Sequence, residues 1–179
     1  MQTATLDGTK TRQLNLEEYP GQPFQRALAL LSITEEWIEE KPAVVVPVAV
    51  DRIVTYTYKE DRLVRYLADL DHKRPLPVVD LTRYVLPGAM YFVPHTEWHG
   101  VEAAKLRHLE TVQGLVKSTH HIAPDRFFMD GHGLWWVTRD PVVAKLVENR
   151  AGIQAEREIL KALGVVEVKR RATDDLPHY

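Results

Sequence analysis

Between residues 95 and 132 the chain gathers its histidines with residues able to work beside them. His95, Glu97, Trp98, His99 and Gly100 stand in the string HTEWHG, Lys105, Arg107 and His108 follow, and His120, His121 and Asp130-Gly131-His132 come later. Two histidines four apart, such as His95 and His99, share one face if both are helical, which is what zinc asks of a helix. Pro94 sets His95 ahead of any helix, however, and Glu97 lies between the histidines, not directly after the first, so the metalloprotease pattern is absent. Exposed or internally bonded histidines are the better account, and a divalent metal is not expected. Thiol chemistry is excluded because there is no cysteine. Ser32 and Ser118 are the only serines, and neither lies in a Gly-x-Ser-x-Gly elbow. If the chain is an enzyme, His99 with Asp130 and His132 are its candidate acid–base groups. Trp135, Trp136 and Arg139 are candidate partner contacts, since exposed tryptophan stacks on bases or anchors proteins. Lys169, Arg170 and Arg171 form a local basic patch.

These side chains need elements to position them. Residues 1–22 are polar and close at Tyr19-Pro20-Gly21, reading as a mobile or wrapping arm. From Pro23 to Glu40, Phe24, Ala27, Leu28 and Leu31, then Trp37 and Ile38, carry helical spacing, and Ser32 with Glu35 suits a capping box between two helices. The stretch AVVVPVAVDRIVTYTY is β-branched and predicts one or two strands, with Pro47 marking an edge, a bulge or a break. KEDRLVRYLADLDHK predicts a helix opened by Glu60 and Asp61, with Leu63, Val64, Leu67 and Leu70 on its inner face. LPVVDLTRY and AMYFV predict strands joined at Pro87-Gly88. A helix with Trp98, Val101, Ala104 and Leu109 inward comes next, then a strand over 111–117. Further on, 127–129 and 134–137 predict a hairpin around DGHG. Asp140-Pro141 opens a long last helix that Gly152 can interrupt and Gly164 ends, and VVEVKRR gives a terminal strand.

A chain of 179 residues, 45% apolar and 27% charged, is large enough for one core without staples. No apolar run approaches the roughly 20 residues that span a bilayer, and the N-terminus lacks a secretory signal's apolar core, so a cytoplasmic protein with no membrane partner is expected. The net charge of −2 gives no global pull toward nucleic acid. Any such binding must use a local patch.

The order strand, helix, strand, strand, helix, strand over residues 53–116, with the turn HTEWHGVEAAK, resembles the ParB/sulfiredoxin-like superfamily. The resemblance implies an α/β (α+β) mixed sheet with helices over 23–118, N-terminal helices, and a strand-helix-strand extension over 119–179. It also implies a phosphate-binding turn at a helix N-terminus, where backbone amides, a histidine and an arginine hold ATP or CTP. Anchored on Ala103-Ala104, the family's glycine falls on Glu97, its middle residue on Trp98, its histidine on His99 and its arginine on Gly100, with Lys105 beyond. Gly100 removes the bidentate donor and Glu97 puts a negative charge where an anion would sit. The resulting expectation is a non-enzymatic accessory or regulatory module that binds nucleic acid or a protein partner. The alternative is a nucleotide-dependent phosphotransferase or nuclease that uses the 95–100 turn.

Overall fold

A computed structural model of the protein describes residues 12–32, 38–39, 43–130, 133–137, 143–147 and 154–168. Its centre is a five-stranded mixed sheet. The elements are α1 (Gly21–Ser32), β1 (Ile38–Glu39), β2 (Val44–Ala49), α2 (Glu60–Asp71), β3 (Val79–Leu86), β4 (Ala89–Pro94), α3 (Trp98–Leu106) and β5 (Thr111–His121). β3 and β4 form a hairpin whose turn needs Gly88, at a φ of 85°, where a side chain would strain the backbone. β5 pairs parallel with β3 and antiparallel with both β2 and β1. Parallel neighbours need a crossover, and α3 supplies it.

Alternation along the strands sends side chains to two covered faces. Val79, Leu81 and Phe92 pack with Val101 and Ala104 of α3, while Tyr84, Leu86, Ala89 and Tyr91 pack with Phe24, Ala27, Leu28 and Leu31 of α1. That second cluster also takes in Phe127, Met129, Leu134, Ile159 and Leu160, so the C-terminal part shares its core with α1. Gly114 leaves room for the side chains packed over it: an added Cβ would lie 2.5 Å from Leu81 Cδ1 and 2.9 Å from Val48 Cγ2. The arm runs over β4: Leu14 N–H donates to the Tyr91 hydroxyl at 2.9 Å, and Met90 N–H donates to Gln13 Oε1 at 2.8 Å.

A second sheet of order β8-β7-β6-β9 is built from β6 (Phe127–Met129), β7 (Leu134–Val137), β8 (Val143–Val147) and β9 (Val166–Glu167), with α4 (Arg157–Ala162) beside it. The chain leaves α4 through Gly164, at a φ of 102°. Val165 N–H reaches Leu160 O and Gly164 N–H reaches Lys161 O, the paired bonds of a Schellman end.

Several expectations are corrected. Among the described residues the long last helix is replaced by strand β8 and then the short α4, because Val143 and Val147 flank a segment that β7 is placed to pair. Ile38 and Glu39 are extended against His120 and Thr119, not helical, and the Ser32 hydroxyl turns back to Ala29 O while Glu35 and Trp37 lie outside the described residues. Val64 is 63% exposed and Leu109 38% exposed, so neither faces inward. Pro47 lies within β2, a strand that among the described residues pairs on one side only. Among the described residues no helix is long and apolar enough to cross a membrane.

Candidate functional site

The turn before α3 is built by β4 ending at Pro94 and by Glu97, which adopts a left-handed backbone with φ 56° at the helix N-cap. An N-cap normally offers a side-chain oxygen to the free helix amides, but Glu97 makes no such bond. Its carboxylate instead accepts the hydroxyl proton of Tyr66 from α2. Burial, and then this bond, push the Tyr66 hydroxyl up to about 12. Gly100 lies beneath the same ring, and a Cβ there would be 3.5 Å from Tyr66 Cε1. The helix N-terminus therefore carries the protein's own carboxylate, with α2 closed against it.

Trp98 and His99 enter an aromatic row. Tyr56 meets Trp98 edge-on at 5.4 Å and Tyr58 at 6.0 Å, and Tyr58 meets His99 at 4.6 Å. His99 is 3% exposed, and its Nε2 is buried without a hydrogen-bond partner. Burial, with Arg62 and Lys59 nearby, holds the imidazole below its ordinary value and so favours the neutral ring.

Lys105 lies in the last turn of α3, roughly 10 Å along the helix from Trp98 at 1.5 Å per residue. It does not join the turn. Its ammonium donates to Ile53 O at 2.7 Å and Thr55 Oγ1 at 2.9 Å and pairs with Glu102 Oε1 at 3.7 Å, so its charge is held within the fold. Burial lowers its pKa, and Glu102 acts in the opposite sense. This lysine floors a cavity of about 790 Å³ between the arm and α3, where Glu17, Asp51, Glu102 and Glu110 outnumber the cations. Such a lining repels phosphate.

His95 turns elsewhere, its Nε2 2.6 Å from Thr82 Oγ1 on β3. Among the described residues no group of three or more His, Asp or Glu side chains gathers to hold a metal ion. Asp130 is 1% exposed and closes the β6–β7 turn, its Oδ1 accepting from Gly133 N–H at 3.0 Å. Trp135 is 6% exposed and its ring stacks with Phe128, whereas Trp136 is half-buried with the Arg126 guanidinium 5.8 Å from its ring centre. His132, Arg139, Lys169, Arg170 and Arg171 lie outside the described residues. No local spacing marks Tyr66, Tyr58, Thr55, Glu102 or Thr82, whose partners are 13 to 50 positions away. No protein-family model matches the chain, and no curated protein matches it.

Proposed function

We propose that this chain is a protein-binding module that takes an extended segment of a partner along the outer edge of β2. One observation carries the reading: Val44, Val45 and Val46 are 59%, 48% and 36% exposed on a strand whose far edge pairs with nothing among the described residues. An open edge with apolar side chains is what strand addition uses, main-chain bonds giving affinity and side chains giving selectivity. Charge favours protein over nucleic acid. Arg107, Arg74, Lys117 and Arg157 are engaged by Asp71, Asp69, Asp80 and Glu167, and the net charge is −2. The same proposal places the chain with the ParB/sulfiredoxin-like superfamily, supported by the run β2-α2-β3-β4-α3-β5, whose first strand is Val44–Ala49 and not the expected 53–58, and by the left-handed Glu97 where that family carries glycine. A nucleotide is not required.

The test selects displayed extended peptides against the chain and maps each binder by hydrogen exchange. The expected footprint is 44–49, and Val45→Glu should weaken binding by about tenfold or more while leaving the melting temperature nearly unchanged, as an exposed site allows. A footprint elsewhere rejects the β2 edge. Duplex DNA binding that weakens steeply with salt and depends on Arg62 and Arg65 would support a nucleic-acid module instead.

A second reading, the nucleotide-dependent enzyme, draws on His99 Nε2, buried without a partner near Lys59 and Arg62. Calorimetric titration with ATP and with CTP tests it. Heat of binding that disappears in His99→Ala would support it, and the absence of heat with either nucleotide would reject it.

A further inference from the structure

The face of the central sheet opposite α3 carries a chain of hydrogen-bonded groups that the preceding proposal does not use. Thr82 Oγ1 lies 2.6 Å from His95 Nε2 and 3.1 Å from Ser118 Oγ. A neutral imidazole nitrogen can accept the Thr82 proton, which leaves the Thr82 oxygen free to accept from Ser118. His95 is exposed, Ser118 is partly exposed, and Thr82 between them is 4% exposed. The two ends of the relay are therefore reachable, and its middle is sheltered from exchange with water.

The geometry has an identifiable origin. The β3–β5 pairing slips between Leu81 and Thr82: Leu81 faces Val116, but Thr82 faces Ser118, with Lys117 as the extra residue. A bulge re-aims the side chains around it, and here Ser118 is brought opposite Thr82. Lys117 Nζ is held by Asp80 Oδ2 at 2.5 Å, which fixes the bulged residue. The other end is also fixed. His95 N–H donates to Asp80 O at 2.8 Å, and Asp80 N–H donates to Thr96 Oγ1 at 3.2 Å.

We propose that Ser118 is a nucleophile toward carboxylic esters, activated by His95 through the hydroxyl of Thr82. In the acylation step Ser118 Oγ bonds to the ester carbonyl carbon while its proton passes to Thr82 and the Thr82 proton passes to His95. Collapse of the adduct breaks the bond to the alcohol oxygen, which takes the proton back along the same path. Water then repeats the sequence, freeing the acid and restoring the serine. The serine lies on a strand without a sharp elbow, so activated aryl esters and phosphonylating reagents are the class it should attack first.

A fluorophosphonate probe and p-nitrophenyl acetate test the proposal on the full chain. The expected result is an adduct mapped by mass spectrometry to Ser118. Its rate should fall by about tenfold or more in Thr82→Val and in His95→Gln, a share typical of lost general-base assistance, and should be retained in Thr82→Ser, which keeps the hydroxyl. Circular dichroism and melting curves confirm that each variant is folded. No adduct at Ser118, or an adduct forming equally fast in folded Thr82→Val and His95→Gln, overturns the inference. Labelling is read with no peptide present, which separates this result from the fate of the β2 proposal.

Discussion

The pair formed by Tyr66 and Glu97 ties α2 to the start of α3, and its protonation sets a measurable signature. The folded protein keeps the Tyr66 proton up to about 12, whereas the unfolded chain releases it at the ordinary value of 10.0. A raised folded value means that the stabilisation is complete below pH 10 and is lost as pH rises through 12. Urea unfolding from about pH 9 to about pH 12 should therefore show a shallower loss of stability in Tyr66→Phe than in the native chain. Equal slopes would mean that the bond does not survive in solution. Glu97 adds a cost of its own, because a non-glycine residue in the left-handed region carries about 1 kcal/mol or more of strain. The sequence marked Glu97 as the odd residue in a phosphate-type turn but gave no hint of Tyr66, which becomes its partner only when two helices meet.

At the scale of elements, much of the central sheet was legible. Alternation in β3 and β4, Pro87-Gly88 between them, and the apolar positions of α3 each reflect a local rule that tertiary contacts reinforce. Elsewhere local and distant preferences disagree. Residues 143–147 carry apolar positions that a helix accepts, but β-branching and an available edge on β7 favour the strand. Ile38 continued a helical period on paper, yet it pairs with β5, whose extension to His121 no local signal announced. Val64 fits an inward spacing, but α2 buries no residue fully and meets α3 through Tyr66 at one end and the Asp71–Arg107 pair at the other. Helix α1 offers a sharper test, because a Cβ on Gly21 would lie 1.9 Å from Thr55 O and 2.8 Å from Thr55 C, both backbone atoms. Gly21→Ala should lower stability by about 2 kcal/mol or more, since neither atom can move without displacing the chain. Gly100→Ala, with its nearest atom at 3.5 Å, should be tolerated or gain about 0.5 kcal/mol from helix propensity. Urea midpoints for the two variants should fall on opposite sides of this contrast. Similar losses in both would show that space at Gly21 is not the constraint.

Across the whole molecule, two apolar clusters lie on opposite sides of one sheet, and the larger joins α1 to the C-terminal strands and α4. None of this long-range layering could be derived from windows of ten or twenty residues, which see period but not partner. The cavity beside the arm shows the same limit: Glu17, Asp51 and Lys105 meet there only because the arm crosses back over the molecule. The feature with the widest reach is β5, which alone pairs with β1, β2 and β3. During synthesis the β3–β4 hairpin can close as soon as its residues emerge, but β2 has no sheet to join until residues 111–121 are available. Closing those distant pairings carries the loop-entropy cost that slows mixed sheets. Until then the apolar strand Val44–Ala49 is left without its partner. The edge proposed to receive a partner in the finished protein is thus also the strand most in need of protection while the chain is being made.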